Sequence, residues 1–236
     1  MRSIWRTLDR ALLRDIGAVA LALVVVGASF GAIAVASGLP VWMPVFMSLV
    51  VFAGGSQFMA VGVVAAGGSP VAAVLAGLVL NARHLPFGLA VADLLGRNWL
   101  ARMVGAHVMI DESVAFALAQ RDPARARAAY WASGILLFAA WNPAVLLGAL
   151  LGEALGDPGA FGLDAAFPAA LLALLLPSLR DIPALRAAVT GAVVALVTTP
   201  LLPAGLPVLL ALLGVAAAWP SRSDRVPVGR ATGEGR

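Results

Sequence analysis

Long apolar segments separated by short polar turns run through most of the chain. After a basic, amphipathic start at residues 1–15, the apolar segments cover residues 16–36, 41–66, 70–95, 103–120, 130–152, 165–179, 187–199 and 206–219. Most of them approach or exceed the roughly 20 apolar residues that a helix needs to cross a bilayer. The pattern predicts an all-α, polytopic membrane protein with seven or eight transmembrane helices.

Three regions of the chain differ in their polar pattern. Residues 1–15 carry an arginine at every fourth position beside an apolar face, which is typical of a helix on a membrane surface and places the N-terminus in the cytoplasm. Residues 16–219 form the transmembrane domain. Residues 220–236 lack an apolar face and predict a disordered cytoplasmic tail. The end of the first apolar segment, Ala34-Val35-Ala36, also has the form of a signal-peptidase site. That segment is longer than a usual signal core, so we interpret it as the first span.

Three apolar segments are interrupted near their centres by polar or helix-breaking residues. The interruptions are Gly54-Gly55-Ser56-Gln57 in the second segment, Asn81 to Pro86 in the third, and Asp111-Glu112-Ser113 in the fourth. An arginine at mid-bilayer costs roughly 3 kcal/mol, and Pro86 has no N–H to donate to the carbonyl of Ala82. We therefore predict spans that are broken at mid-membrane, where irregular backbone must line a cavity or find partners.

Residue counting brings the interruptions to one depth. Gln57, Arg83 and Asp111 each fall near the middle of their segments, at about 1.5 Å of rise per residue. Each would be costly alone, whereas Arg83 can neutralise Asp111 or Glu112. The remaining polar groups would be satisfied by Gln57, Asn81 and Ser113. The sequence thus predicts one shared polar pocket.

The residue types in this pocket suggest a ligand. The planar fork of Arg83 suits a carboxylate, and Asp111 or Glu112 can receive an ammonium group or carry a proton. A zwitterionic amino acid with an aliphatic side chain is the natural guest. His84 is a candidate proton relay, although a histidine in a membrane helix is as often a plain hydrogen-bonding residue.

Other interpretations of these residues remain open. Arg83 can snorkel from a helix end or pair two helices for structural reasons. The glycines at 54 and 55 suit close helix packing as well as a helix break beside a pore. A faint similarity between residues 30–57 and 147–178 suggests an internal duplication.

Arginine positions test the span count. With both termini in the cytoplasm, eight spans place Arg97 and Arg102 outside, against the usual excess of basic residues on the cytoplasmic side. Either an early segment is re-entrant, or the rule is broken locally.

Composition agrees with a membrane protein and excludes several classes. The chain is 61% hydrophobic and only 12% charged, where soluble proteins average about 25% charged residues. Its 16 basic residues, all arginine, are scattered through loops, so nucleic-acid binding is not expected. Without cysteine there is no disulfide or thiolate site. No nucleotide-binding or metal-binding motif is present, and we predict no cofactor and no metal.

The polar segments also carry a family resemblance. Gly54-Gly55-Ser56-Gln57-Phe58, then Asn81-Ala82-Arg83-His84, then Ile110-Asp111-Glu112 resemble the G-A-S-Q-F, N/D-x-R-H and T-D-E segments of the AzlC family in order and spacing. The resemblance covers about residues 16–219. Gly55 stands in place of Ala, which is a small change. Ile110 stands where the family often has Thr, which removes a hydroxyl beside the acidic pair and affects the expected substrate range.

The resemblance implies a function for the chain. It implies the larger subunit of a branched-chain amino acid exporter in the bacterial cytoplasmic (inner) membrane, working with AzlD, a small membrane partner. We expect a secondary transporter, and not an enzyme. The candidate substrate-binding or translocation residues are Gly54, Gly55, Ser56, Gln57, Asn81, Arg83, His84, Asp111 and Glu112. Two other classes are a membrane scaffold that does not transport and an intramembrane enzyme that uses Asp111 and Glu112.

Overall fold

The computed structural model describes residues 8–155, 178–202 and 206–218, together with positions 172 and 176. All regular secondary structure in the described residues is helical, and none of these residues lies in a strand. The chain forms two compact units, Met1–Leu172 and Ala173–Arg236. The helices of the first unit are α1 Arg10–Ala36, α2 Trp42–Val50, α3 Gly54–Ala65, α4 Pro70–Asn81, α5 His84–Val91, α6 Trp99–His107, α7 Asp111–Leu118 and α8 Pro123–Leu155.

Three helical segments are long and apolar enough to cross a membrane. They are α1, with 27 residues, the 25-residue run Pro70–Leu94 and the 32-residue run Pro123–Ala154. The middle run joins α4, α5 and the 3₁₀ turn Ala92–Leu94. The prediction of an all-α membrane protein is confirmed for the described residues, whereas the count of seven or eight spans is not.

Helices α1 and α8 are parallel and pack closely through glycine. Gly31 of α1 lies on the backbone of Val145, and Gly148 of α8 lies on the backbone of Ala28, so that a Cβ atom at either glycine would overlap a carbonyl group. Towards the other end of α1, Leu12 shares a cluster with α8 residues near its start. Small residues at such an interface let two membrane helices approach closely. Because both helices run in the same direction, both begin at the same end of the unit.

Helix α2 runs antiparallel to α8. The Oγ of Ser48 donates a 2.8 Å hydrogen bond to the Oδ1 of Asn142. Four residues later, the ring of Phe52 packs edge-on against Phe138, with centroids 5.1 Å apart. Later residues of α2 and of the segment after it therefore contact earlier residues of α8.

Helix α3 reverses this direction, so that α2 and α3 form a hairpin, the first hairpin. Phe58 packs edge-on against Phe30, and Phe30 in turn stacks on Trp141, with centroids 6.1 Å apart. Leu39, before α2, and Val64, near the end of α3, line the same cavity. A straight helix from residue 39 to residue 64 would be about 37 Å long, so the chain must turn back between them.

Helices α6 and α7 form a second hairpin that enters from the opposite end. On α8, Trp131 lies against Gly105, Gly134 against Val108 and Phe138 against His107, whereas Phe116 of α7 packs on the cluster that contains Ala129. Successive residues of α6 therefore contact later residues of α8, and the residues of α7 contact earlier residues of α8 again. The two hairpins thus reach the middle of α8 from opposite ends.

Segments 41–66 and 103–120 are therefore not single crossings. Helices α2 and α7, with 9 and 8 residues, are each about 12–14 Å long, roughly half of a hydrocarbon core about 30 Å thick. Hydropathy and length do not distinguish a full span from two half-length helices that turn back. The interruptions of the sequence were the visible sign of the turns.

The re-entrant hairpins explain the position of the Arg97 loop. The guanidinium of Arg127 donates a 2.6 Å hydrogen bond to the carbonyl of Asp93, and Arg125 pairs with Asp9 at 2.5 Å. The loop after α5, the start of α1 and the start of α8 therefore lie at one end of the unit, the basic end. The exception to the arginine rule that eight spans required is absent from this arrangement.

The second unit contains α9 Ile182–Thr198 and α10 Leu206–Ala211, the latter continued by the 3₁₀ segment Leu212–Ala218. Gly191 faces Ala211 and Gly214 faces Ala187, so α9 is antiparallel to the segment 206–218. These elements correspond to the predicted seventh and eighth spans. Residues 1–7, most of the predicted span 165–179, most of the second half of the predicted duplication, and the tail 220–236 lie outside the described residues. Residues 10–15 of the predicted surface helix belong to α1.

Candidate functional site

A cavity of about 250 Å³ in the first unit is lined by the break between α4 and α5 and by residues that precede the other two interruptions. Its walls come from the tip of the first hairpin, the break between α4 and α5, and the tip of the second hairpin; they are formed by Val50, Val51, Phe52, Ala53, Asn81, His84, Ala106, His107 and Met109. The position is the middle of α8, because both hairpin tips pack there. The structure therefore brings the three predicted polar segments to one depth.

An ion pair joins two of these interruptions. The Nη1 of Arg83 lies 2.8 Å from the Oδ2 of Asp111, and their side chains are 36% and 45% exposed. Asp111 is the first residue of α7, where the helix dipole favours a negative charge. The predicted pairing of Arg83 with Asp111 is present, and the exposure leaves room for a ligand to reach both charges.

The break between α4 and α5 places Arg83 at this position. Pro86 has no N–H to donate to the carbonyl of Ala82. That carbonyl instead accepts a 3.0 Å hydrogen bond from the N–H of Leu85. The N–H of Ala82 itself bonds to the carbonyl of Val79, so a tight turn separates the two helices. The turn satisfies the freed carbonyl and contains Arg83.

Gly55 borders the guanidinium on the side of the first hairpin. A Cβ atom built on Gly55 would lie 3.5 Å from the Nη2 of Arg83 and 3.6 Å from Leu80, which are ordinary contact distances. An alanine would therefore fit here. Gly55, Arg83 and Asp111 thus come from three different interruptions and meet at one point.

Several polar atoms of the three interruptions, and one of Trp141, are buried without a hydrogen-bond partner among the described residues. They are the Nε2 and Oε1 of Gln57, the Oδ1 of Asn81, the Nε of Arg83, the Oδ1 of Asp111 and the Nε1 of Trp141. Gln57 is only 1% exposed. Leaving such a group unsatisfied costs about 1–3 kcal/mol. The cluster therefore has free capacity to bind donors and acceptors of a guest molecule.

A larger cavity of about 410 Å³ lies between the first hairpin and α4. Its walls are mostly apolar, with Gln57, Ser56 and Asn81 as the polar residues. Val51 and Asn81 line both this cavity and the smaller one. The two cavities are therefore adjacent, and Asn81 lies at their junction.

The other predicted residues take local roles. The Cβ position of Gly54 lies 3.1 Å from the indole of Trp141, so this glycine serves close packing as well as the helix start. The Oγ of Ser56 donates to the carbonyl of Ala53 at 2.9 Å. The Nδ1 of His84 is 3.1 Å from the carbonyl of Asn81. Glu112 follows Asp111 in the first turn of α7.

Ser113 organises the start of α7. Its hydroxyl accepts a 2.9 Å hydrogen bond from the N–H of Ile110 and donates to the carbonyls of Ile110 and Val108. Ile110 itself is 6% exposed and belongs to the central apolar cluster. The hydroxyl that Ile110 lacks is thus not needed to end the turn at the tip of the second hairpin.

Two residues near the site were not among the candidate site residues. His107 ends α6 and lines the smaller cavity together with His84, and these are the two histidines of the chain. Trp141 contacts Gly54 and stacks on Phe30. The position of His107 four residues before Asp111 was an available signal, whereas Trp141 is distant in sequence from every interruption.

Comparison with known proteins gives one match. The family model described as AzlC protein matches residues 18–155, which is more than half of the chain and includes every candidate site residue. No curated protein and no solved structure matches the chain.

Proposed function

The chain belongs to the AzlC family, and from this premise we propose that it exports branched-chain amino acids as a secondary transporter, together with a small AzlD-like membrane subunit. Membership in this transport-associated family and the three long apolar helices support a role as a membrane protein in transport. The substrate, the partner and the mode of coupling are parts of the proposal.

The observation that carries the proposal is the Arg83–Asp111 ion pair, which joins the break between α4 and α5 to the tip of the second hairpin, with Gly55 of the first hairpin beside it. Substrate sites of secondary transporters lie near the bilayer midplane, between discontinuous helices. A zwitterionic amino acid complements this pair, because its carboxylate can bind Arg83 while its ammonium group binds Asp111. The unpartnered atoms of both side chains supply further hydrogen-bonding capacity.

The arrangement of the helices also fits alternating access. The first unit contains a crossing followed by a re-entrant hairpin twice: α1 with the first hairpin, and 70–94 with the second. The two crossings run in opposite directions. Such inverted repeats are common in secondary transporters, where one repeat rocks against the other around a fixed site.

Arginine positions support a cytoplasmic N-terminus in the bacterial inner membrane. The basic end carries Arg10, Arg14, Arg97, Arg121, Arg125 and Arg127, whereas Glu153 lies towards the opposite end of α8. An excess of arginine in short loops marks the cytoplasmic side.

Leucine efflux tests the proposal. Proteoliposomes loaded with labelled leucine and containing the chain with its small partner should release leucine faster than empty liposomes, and Arg83→Ala should remove most of this release. An Arg14→Ala variant is the matched control, because Arg14 is an exposed arginine at the basic end. Wild-type protein that binds its partner but releases no amino acid would favour the scaffold function instead.

A further inference from the structure

The larger cavity of the first unit is lined by neither Arg83 nor Asp111. The 410 Å³ cavity between the first hairpin and α4 is lined by large apolar side chains, including Trp42, Phe46 and Leu78. Its volume lies within the range of about 300–1,000 Å³ that is usual for small-molecule sites. It is therefore large enough for the apolar part of a ligand.

The polar groups of this cavity are unsatisfied. Gln57 is 1% exposed, yet neither its Nε2 nor its Oε1 has a hydrogen-bond partner among the described residues. The Oδ1 of Asn81, at the junction with the smaller cavity, is also buried without a partner. Ser56 does not complete them, since its hydroxyl donates to the carbonyl of Ala53. Two buried amides in an apolar wall call for a guest that carries both a donor and an acceptor at one end.

We propose that this cavity holds the aliphatic side chain of the transported amphiphile, and that Gln57 and Asn81 bind its polar end. The inference rests on the proposed function for the identity of the substrate, and it adds where the side chain lies. Asn81 lines both cavities and lies at the break that carries Arg83, so the polar end of the ligand lies on the side of the cavity towards the ion pair. Side-chain length is then selected by the apolar walls between α2, α3 and α4.

Gly77 is a position in the cavity wall where a side chain can be added. It lines the cavity on α4, and a Cβ atom there would lie 3.7 Å from the carbonyl oxygen of Ser56, which is ordinary contact. A Cβ atom at this position therefore fits without displacing the backbone, and we expect the γ-methyl groups of a valine to occupy cavity volume. Gly77→Val should leave alanine transport nearly intact and lower leucine transport relative to it by about tenfold, the loss expected when a hydrophobic pocket becomes too small. Gly17→Val controls for a branched residue replacing a helix glycine, since no atom lies within 4 Å of the Cβ position at Gly17.

A second experiment does not require transport. The chain has no cysteine, so Gly77→Cys provides a single thiol in the cavity wall. Val79→Cys, on the same helix but outside both cavities and 49% exposed, is the matched control. The water-soluble reagent MTSET should modify Cys at 77 in the purified protein, and leucine should slow this reaction several-fold without affecting Cys at 79. The analogues 4-methylpentanoate, which lacks the amine, and isoamylamine, which lacks the carboxylate, report which polar group is needed.

The outcomes separate the two proposals. Wild-type protein that exports no amino acid rejects the proposed function, while protection at position 77 by any of the three amphiphiles still supports the cavity. Unchanged selectivity in a transporting Gly77→Val variant overturns the cavity assignment. Reaction at position 77 with a lipid-soluble maleimide only, unaffected by leucine or the analogues, also overturns it and identifies a groove filled by a lipid acyl chain.

Discussion

Arg83 and Asp111 are 28 positions apart in the sequence, yet Nη1 of one lies 2.8 Å from Oδ2 of the other. The contact joins the break of the middle crossing to the tip of the second hairpin. Neither residue would be tolerated alone at this depth, because an uncompensated charge in a membrane interior costs several kcal/mol. The pair therefore links two elements whose relative movement would change the charge balance of the site.

Removing one charge of the Arg83–Asp111 pair should destabilise the protein more than removing both. We expect Arg83→Gln and Asp111→Asn each to lower both the thermal unfolding temperature in detergent and leucine efflux, the latter at least about tenfold. In the double variant, the unfolding temperature should recover while efflux stays low, because the unpaired charge is gone but the substrate partners are gone too. Recovery of efflux in the double variant would contradict a role of these charges in substrate binding.

The depth of the polar residues could be predicted from the sequence because their cost in the membrane forces them together. Gln57, Arg83 and Asp111 stand at the centres of apolar segments; the structure pairs Arg83 with Asp111 and places Gln57 beside Asn81 in the wall of the larger cavity. The direction of the chain could not be predicted in the same way. A two-residue break in a helix and a hairpin tip have similar composition, and the reversal depends on tertiary contacts such as Phe58 with Phe30. Hydropathy therefore counted both hairpins as crossings.

Single-cysteine accessibility should distinguish the hairpins from full spans. Cysteines at Ser37 and Ser69 should react from one side of the membrane, and cysteines at Arg97 and Arg121 from the other side. An eight-span topology predicts alternation, with positions 37 and 97 on one side and positions 69 and 121 on the other. The measurement is blocking of these thiols in intact cells by a membrane-impermeant reagent before lysis. Alternation would show that the hairpins cross the membrane.

Packing of α1 on α8 should depend on Gly31. A Cβ atom at this position would overlap the carbonyl of Val145, so Gly31→Ala should destabilise the protein by about 1–3 kcal/mol, the usual cost of overpacking. Gly17→Ala on the same helix meets no atom within 4 Å, and it should be neutral or stabilising by up to about 1 kcal/mol. Thermal unfolding in detergent measures both. Equal effects of the two variants would contradict close packing at Gly31.

Asp9 should make the stability of the protein depend on pH in the acid range. Its pKa is held below the ordinary value of 3.8 by the N–H of Leu12, which its carboxylate caps, and by Arg125. Because the folded pKa is depressed, this contribution to stability is fully present above the unfolded pKa and is lost as the pH falls through the folded pKa. Asp9→Asn keeps a helix cap but has no carboxylate to titrate, so the part of the acid-induced loss of stability that Asp9 causes below pH 3.8 should be absent from the variant. Identical unfolding profiles of wild type and variant between neutral pH and about pH 2.5 would contradict it.

Gln57 should show opposite effects on stability and on transport. Its buried amide has no partner among the described residues, so Gln57→Met, which has a similar length and no polar atoms, removes the cost of an unsatisfied group. We expect the variant to be more stable by about 1 kcal/mol. Leucine efflux should fall at least about tenfold, since the amide is then absent when the ligand arrives. Gln57→Asn keeps the amide but shortens the side chain, and it should retain more transport than Gln57→Met while gaining no stability. A Gln57→Met variant that is less stable and transports normally would show that the amide serves the fold and not the ligand.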